Sequence, residues 1–319
     1  MSSPRISIVI PLYNEAKAFP FLIERLNRVV EKINISVEIV LVDDGSIDET
    51  PLLMNELAMR DEKYHCIFLS RNFGHQVAVS AGLKFVNATE GAMIIDADLQ
   101  DPPEILETFY ENFKKGYEVS YGVRTIRADE GIFKKNASRY FYKVLRGLSN
   151  IDIPQNSGDF CFMSRRIINI INSMPEEHRF IRGMRAWVGF KQIAVPYDRD
   201  LRIAGTTKYT LKKMLGLAYN GIFNFSELPI KFITRLGVMA ISIALVYLGY
   251  TLYKKIVYHN VAEGFSGLLF ALILFSGVQL VSIGILGEYI VRIFFQTKER
   301  PLYIISKRVQ HKNEIIHAG

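Results

Sequence analysis

Two long apolar stretches near the C-terminus constrain this 319-residue chain more than any other feature. Leu236 to Tyr253 and Phe265 to Gly287 contain no charged residue. As helices they would be about 27 and 35 Å long, which matches a bilayer hydrocarbon core of about 30 Å. The alternative is a pair of buried core helices, but such helices seldom run so far without a charge. We therefore predict two transmembrane helices within residues 232–293.

The net charge of +7 is concentrated in residues 201–319, beside the apolar stretches. Basic charge in that place fits anionic lipid head groups and predicts a membrane partner. Zinc-ligand spacing, a basic helix and an aromatic strand motif are all missing from the sequence, so we expect no nucleic-acid partner.

The order of charges also predicts how the chain crosses the membrane. The N-terminus lacks the pattern of a signal peptide, so the head is expected to stay in the cytoplasm. Two crossings would return a basic tail, residues 294–319, to the same side. The cations that flank the apolar stretches on the cytoplasmic side follow the positive-inside rule. These cations are Lys231, Arg235, Arg292, Lys298 and Arg300. Lys254 and Lys255, on the opposite side, do not follow it. We predict a multi-pass protein of the cytoplasmic (inner) membrane, with its head and both termini in the cytoplasm.

Short β-branched apolar runs alternate with helical patterns over the first part of the chain. The runs are residues 6–10, 37–42, 65–69 and 92–95, and the helical patterns are 19–32, 50–61, 76–87 and 105–115. This alternation predicts an α/β head, residues 1–206, with a parallel-rich sheet. Ligands of such sheets bind beyond the C-terminal ends of the strands.

Residues 207–231 connect the head to the first apolar stretch. Their apolar residues recur at helical spacing with lysines elsewhere, which predicts an amphipathic helix at the membrane interface. Packing of this helix on the head is the alternative. A further short strand is predicted at Leu302–Ser306.

Three polar motifs follow predicted strands: Pro11–Glu15, Asp43–Ser46 and Asp96–Glu104. Each alone could be a turn, but together they converge on one sheet edge. No G-x-G-x-x-G motif offers a backbone cradle for a diphosphate. Asp96 and Asp98 point to the same side and could hold Mg²⁺ or Mn²⁺, which prefer oxygen ligands and neutralise a departing nucleoside diphosphate.

The ordered set PLYNE, DDGS, DADLQDPPE, NSGDF and RIAGTTKY, followed by two predicted membrane helices, resembles the polyprenyl-phosphate glycosyltransferases of glycosyltransferase family 2. The bactoprenol glucosyltransferases are the nearest type, and dolichol-phosphate mannose synthases are more distant. The resemblance runs to about Ser306. It implies a GT-A nucleotide-sugar-binding fold and inverting, metal-dependent transfer of one sugar, by default from UDP-glucose, to undecaprenyl phosphate at the cytoplasmic membrane face. It also implies a homo-oligomer, since similar proteins form tetramers.

The resemblance assigns roles to matching positions. The nucleotide would be held by Pro11, Tyr13, Glu15, Asp44 and Asp96. The metal would be bound by Asp96, Asp98 and Gln100, with Asp98 also counted as catalytic. The acceptor phosphate would be held by Arg124, Lys134, Ser138, Arg139, Arg202 and Lys208.

Asp159 matches the presumed catalytic base of the family. Two alternatives stay open: it could cap a helix predicted at Met163–Asn172, or it could orient a sugar hydroxyl or the acceptor. A phosphate monoester is largely dianionic at pH 7 and hardly needs a base. His75 is interpreted as a loop or cap residue, because no second histidine accompanies it.

Two other functions compete with lipid glycosylation. A processive polysaccharide synthase would need more membrane helices and usually a Q-x-x-R-W motif, which this chain lacks. A catalytically inactive lipid-binding adaptor is opposed by the intact carboxylates Asp44, Asp96, Asp98 and Asp159.

Overall fold

The computed structural model describes residues 3–125, 157–177, 179–199, 228–258 and 264–316. These residues fall into two compact units. The head contains the described residues from 3 to 199 together with 301–316, and the second unit contains those from 228 to 300. The chain therefore leaves the head, forms the second unit and returns to the head.

Nine strands form the sheet of the head, and each predicted apolar run in the first 95 residues is one of them. The strands are β1 (Ile6–Leu12), β2 (Val37–Asp43), β3 (Tyr64–Leu69), β4 (Gly91–Ile94), β5 (Val119–Arg124), β6 (Ser157–Ser164), β7 (Gln192–Tyr197), β8 (Ile305–Gln310) and β9 (Asn313–Ile316).

Six helices of the head and two of the second unit complete the described elements. They are α1 (Phe19–Lys32), α2 (Thr50–Arg60), α3 (His75–Lys84), α4 (Leu106–Lys114), α5 (Arg165–Ser173), α6 (Ile181–Trp187), α7 (Leu228–Tyr258) and α8 (Phe265–Thr297).

The sheet is mixed, with the order β7-β5-β6-β4-β1-β2-β3-β8-β9. Its centre is parallel: β1 pairs with β2 and β4, and β2 pairs with β3. Strands β1, β2 and β3 are buried along their whole length, which explains why their sequences are continuously apolar rather than alternating. Parallel pairing brings the ends of β1, β2 and β4 to one edge.

Helices pack on both faces of this sheet. On one face α1 buries Phe19, Leu22, Leu26 and Val29, which recur at helical spacing. On the other face α3 approaches β1 so closely that a Cβ on Gly82 would lie 2.3 Å from a methyl group of Val9. Only a glycine fits there, and this contact sets how closely α3 packs on β1.

The segment after the apolar helices completes the sheet. β8 pairs with β3 in antiparallel orientation, and Val309 is fully buried in the core. The strand lies at Ile305–Gln310 rather than at the predicted Leu302–Ser306, and β9 follows it. Residues 294–319 therefore include the last turn of α8 and two strands, which charge composition alone did not indicate.

Helices α7 and α8 are 31 and 33 residues long. Each contains a span that is long and apolar enough to cross a membrane, Phe232–Lys254 and Leu274–Thr297. Both helices extend beyond the uncharged stretches and include flanking charged residues such as Lys231 and Arg292.

Candidate functional site

The loops after β1 and β2 are joined by hydrogen bonds. Asn14, whose φ is +55°, donates its backbone N–H to Ser46 Oγ at 2.9 Å, and its side-chain oxygen accepts from the N–H of Ile47 at 2.9 Å. The N–H of Glu15 donates to Thr50 Oγ1 at 2.9 Å. The first two polar motifs therefore form one continuous wall at the sheet edge.

A third loop, after β3, packs on this wall. Gly45 has a φ of +67°, and a Cβ on it would lie 2.3 Å from the backbone carbon of Arg71. Asp44 accepts hydrogen bonds from the backbone N–H of Phe73 at 2.7 Å and of Gly74 at 3.0 Å. Desolvation raises the pKa of Asp44 despite these bonds. Its carboxylate therefore has a structural partner, which the motif alone did not reveal.

The remaining residues assigned to the nucleotide are placed around this wall. Pro11 is buried within β1, and the ring of Tyr13 is exposed beyond it. Glu15 lies at the start of the turn that leads into α1, where its carbonyl accepts from the N–H groups of Ala18 and Phe19.

The acidic motif after β4 forms a strained turn. Oδ1 of Asp98 accepts from the N–H of Gln100 at 3.2 Å, and Leu99 between them has a φ of +59°. A left-handed backbone at a bulky residue costs of order 1–3 kcal/mol and persists only where the surroundings enforce it. The buried Leu99 side chain anchors this turn in the core.

Asp96, His75 and Asp159 converge from three different elements. His75 Nε2 lies 3.6 Å from Oδ1 of Asp96 and 3.6 Å from Oδ2 of Asp159. Desolvation raises the pKa of Asp96 to about 6, helped by the charges of Asp101 and Asp98 and opposed by His75. Desolvation opposes protonation of His75, but these carboxylates outweigh it and raise its pKa to about 9. His75 thus belongs to the cluster and is the first residue of α3.

Asp159 lies in β6, and its carboxylate is 10 % exposed. Its Oδ2 accepts from Gln76 Nε2 at 2.7 Å, and its Oδ1 lies 3.5 Å from Arg182 Nε. Desolvation favours the neutral acid, but the charges of Arg182, His75 and Arg185 hold the pKa of Asp159 well below its usual range. The group is a carboxylate at neutral pH.

The interpretation of Asp159 as a helix cap is wrong. Met163, the expected first residue of that helix, is still in β6, where it pairs with Ala92. Helix α5 begins at Arg165, and its cap is Ser164, whose hydroxyl accepts from the N–H of Ile167.

A second cluster lies beside the acidic turn. Asp101 is 1 % exposed and accepts a short hydrogen bond from the hydroxyl of Tyr197. Arg124, at the end of β5, donates Nε to the same hydroxyl at 3.3 Å and lies 4.0 Å from Asp101. Arg199 lies 4.0 Å from Asp98 and 3.8 Å from Asp101. The structure thus places Arg124 beside the acidic turn, and its role in phosphate binding stays a prediction.

Comparison with known proteins assigns the family. The model of "Glycosyl transferase family 2" matches residues 7–171, about half of the chain. The chain belongs to glycosyltransferase family 2. An uncharacterized glycosyltransferase of Bacillus subtilis, YkcC, is 41 % identical over 98 % of this chain and 96 % of its own length. A "Prophage bactoprenol glucosyl transferase homolog" of Escherichia coli is 38 % identical over 95 % of this chain and 99 % of its own length.

A solved mannosyl-3-phosphoglycerate synthase of Rubrobacter xylanophilus matches with a TM-score of 0.44 at 16 % identity, over 68 % of this chain and 71 % of that one. A likeness this distant adds no functional argument to the family assignment. Membership in glycosyltransferase family 2 makes this protein a glycosyltransferase, and its mixed sheet with a parallel centre agrees with the GT-A fold that the resemblance implies.

Several members of this glycosyltransferase site were missed from the sequence. They are Gln76, Arg182, Tyr197, Arg199 and Asp101. Gln76 follows His75 directly, and Gly74 before them was a usable signal for the start of a helix. Arg182 lies on α6, Tyr197 on β7 and Arg199 just after β7, and neither element was predicted. Asp101 lies within the acidic motif after β4, but no role of its own was predicted for it.

Five residues assigned to the acceptor phosphate lie outside the described residues, as do most of residues 207–231. These five are Lys134, Ser138, Arg139, Arg202 and Lys208.

The carboxylates suit a hard divalent ion in chemistry. Among the described residues, no group of three or more His, Cys, Asp or Glu side chains has an arrangement that could hold a metal ion by itself. Asp96 and Asp98 supply two carboxylates that repel one another, since the charge of Asp98 raises the pKa of Asp96. A bound cation would relieve this repulsion. Mg²⁺ is commonly bound by one or two carboxylates together with substrate phosphates, so these residues fit a shared site.

Proposed function

We propose that this glycosyltransferase transfers one sugar from a nucleotide sugar, by default UDP-glucose, to undecaprenyl phosphate at the cytoplasmic membrane face. One observation carries the proposal: an acidic cluster of Asp96, Asp98 and Asp159 belongs to a chain with two membrane-length helices. The full-length similarity to a protein named bactoprenol glucosyl transferase homolog supports the lipid acceptor.

The donor would bind along the wall formed by the first two loops. Pro11, Tyr13, Glu15 and Asp44 lie there and are proposed to hold the nucleotide. Asp96, Asp98 and Gln100 are proposed to hold Mg²⁺ or Mn²⁺ next to its diphosphate. The ion, when bound, supplies charge neutralisation for the departing nucleoside diphosphate.

The acceptor would enter beside Arg124, whose guanidinium lies 4.0 Å from Asp101 and close to the backbone of Gly158, the residue before Asp159. Arginine binds phosphate through paired N–H groups, which suits the end of a lipid phosphate. Asp159 is fixed as a carboxylate by its cationic neighbours, so it could accept a proton or orient a sugar hydroxyl. We favour orientation, because the acceptor phosphate is already charged at neutral pH.

The proposed reaction is a direct displacement. An acceptor phosphate oxygen forms a bond to the anomeric carbon of the sugar, and the bond from that carbon to the diphosphate oxygen breaks. The nucleoside diphosphate leaves with the electron pair. Because the phosphate oxygen attacks from the face opposite the diphosphate, the configuration at the anomeric carbon inverts.

The return of the chain to the head supports the proposed topology. Residues 3–199 and 301–316 share one sheet, so both must lie on the same side of a membrane. Helices α7 and α8 would then cross as a pair, in opposite directions. We propose that the head and both termini are cytoplasmic, and that the protein is a homo-oligomer, such as a tetramer.

A transfer assay on membranes that contain the full-length protein tests the proposal. Radiolabelled nucleotide sugars are supplied one at a time, with and without undecaprenyl phosphate, and with Mg²⁺, Mn²⁺ or a chelator. We expect label in the lipid extract with one donor, dependent on added acceptor and on metal. Absence of lipid label with every donor, in membranes that contain folded protein, would refute the proposal.

A further inference from the structure

We propose that Arg25 of α1 is a positioning residue that holds the Asp98–Gln100 turn in its active shape. Its guanidinium binds Glu104 through two parallel hydrogen bonds, Nε to Oε1 and Nη2 to Oε2, each of 2.8 Å. Its third nitrogen, Nη1, donates to the carbonyl oxygen of Leu99 at 3.4 Å. This inference rests on the proposed function, because the proposed function places the turn next to the donor diphosphate.

The three contacts reach both ends of the acidic segment. Leu99 is the residue between Asp98 and Gln100, and Glu104 lies in the short 3-10 turn, Pro103–Ile105, that leads into α4. A bidentate arginine–carboxylate pair fixes orientation as well as distance. Arg25 therefore ties α1, which follows β1, to a loop that follows β4.

The turn requires such support because its backbone is strained. Leu99 has a φ of +59°, a conformation that a bulky residue adopts only when neighbouring groups enforce it. Its side chain is fixed in the core, and Arg25 restrains its carbonyl oxygen through a hydrogen bond. Rotation of the Leu99 peptide would move the N–H of Gln100 away from the Asp98 carboxylate that it now binds.

A cavity lies between α1 and the turn, so close packing does not hold the turn against α1. This surface cavity of about 320 Å³ is lined by Arg25, Leu99, Glu104 and residues of α1. The side chain of Arg25 is 25 % exposed and that of Glu104 is 51 % exposed. Such a pair adds little to overall stability, so its geometry is better explained by local positioning.

The same helix offers a matched control. Arg28 pairs with Glu24 one turn away, and this pair is exposed and lies within α1 itself. Removing it deletes an arginine–glutamate pair of the same kind without touching the acidic turn. The variants to compare are Arg25→Met, Arg25→Lys, Glu104→Gln and, as the control, Arg28→Met.

Two readouts on the full-length protein test the proposal. The first is amide hydrogen exchange of the segment 96–104 without metal or nucleotide. We expect roughly tenfold faster exchange in Arg25→Met and Glu104→Gln, and wild-type exchange in Arg28→Met. The second is the Mn²⁺ concentration that gives half-maximal transfer, which we expect to rise about tenfold in Arg25→Met, as for partners that orient metal ligands. Arg25→Lys should recover only part of either effect, since it cannot form the fork.

The two readouts separate this inference from the proposed function. Wild-type exchange in Arg25→Met, or equal changes in Arg25→Met and Arg28→Met, would overturn the role of Arg25. Faster exchange confined to the segment 96–104 supports that role even if the wild type transfers no sugar to lipid. Failure of the wild type in transfer overturns the proposed function instead.

Discussion

The side-chain amide of Gln76 donates a 2.7 Å hydrogen bond to Oδ2 of Asp159, so helix α3 orients a carboxylate that belongs to β6. The carbonyl oxygen of the same amide accepts from the N–H of Ile181 at 2.9 Å. Gln76 therefore joins α3, β6 and the start of α6 at the acidic cluster.

Replacing Gln76 should disturb catalysis through Asp159. We expect Gln76→Leu to lower kcat on the order of 10²-fold, because small misplacements of a reacting group have effects of that size. Gln192→Leu is the control, since Gln192 donates to the carbonyl of Arg185 near the end of α6. Steady-state kinetics of both variants would measure this difference in kcat. Equal losses of kcat would mean that Gln76 acts only through the general stability of α6.

Asp98 should be essential for turnover. Asp98→Asn removes one proposed charged ligand, and we expect a loss of at least about 10²-fold, since metal charge stabilisation contributes several kcal/mol. Asparagine keeps an oxygen that can accept from Gln100, so the variant should remain folded. Asp61→Asn is a matched control, because Asp61 accepts from the N–H two residues on in the same way, far from the acidic cluster. Activity of Asp98→Asn within a few-fold of wild type would contradict the metal role.

The raised pKa of His75 predicts a pH-dependent stability. The folded-state pKa is about 9 and the ordinary value is 6.5, so the stabilisation is complete below about pH 6.5 and is lost as pH rises through 9. Because the imidazole is 40 % exposed, solvent screening limits its contribution to about 1 kcal/mol.

Thermal unfolding of the metal-free protein measures this effect, with fluorescence of Trp187, the single tryptophan, as the probe. The melting temperature of wild type should exceed that of His75→Gln at pH 6, and the difference should vanish near pH 9.5. A difference that stays constant over this range would show that the carboxylates do not stabilise a protonated His75.

Strand β8 should be required for the stability of the head. Val309 is fully buried, so Val309→Asp places an unpaired carboxylate in the core and should cost more than about 3 kcal/mol. Ile315→Asp, in the exposed part of β9, should cost less than about 1 kcal/mol. Denaturant unfolding measures the free energy of unfolding of both variants. A loss for Val309→Asp as small as that for Ile315→Asp would argue that β8 is dispensable.

The central sheet could be predicted from the sequence because its strands are continuous apolar runs. Ile6–Leu12 and Val37–Asp43 were recognised in this way, and Phe19–Lys32 was predicted with its observed bounds. Strand β6 was missed because its residues include polar and aromatic side chains, and its pairing with β4 joins residues far apart in the chain. Strand β8 was predicted at Leu302–Ser306 but lies at Ile305–Gln310, because its bounds are set by pairing with β3, which precedes it by more than 200 residues.

Asp44, Asp96 and Asp98 were predictable because parallel strands bring their C-terminal ends together, whereas Asp159, near the start of the antiparallel strand β6, was named from the family resemblance. Asp96 and Asp159 could be named from motifs, but their partners could not. Gln76 and Arg182 reach Asp159 from helices whose positions depend on tertiary packing, such as the close contact at Gly82. The sequence thus indicated which carboxylates matter, whereas the structure shows which groups orient them.

The stoichiometry of the products tests the central claim most directly. Purified full-length protein is incubated with undecaprenyl phosphate and the preferred nucleotide sugar, and the lipid and nucleotide products are identified by mass spectrometry. We predict that the lipid gains one glycosyl unit and no phosphorus, while one nucleoside diphosphate forms for each lipid product. Release of a nucleoside monophosphate, or successive addition of several sugars to one lipid, would contradict the account.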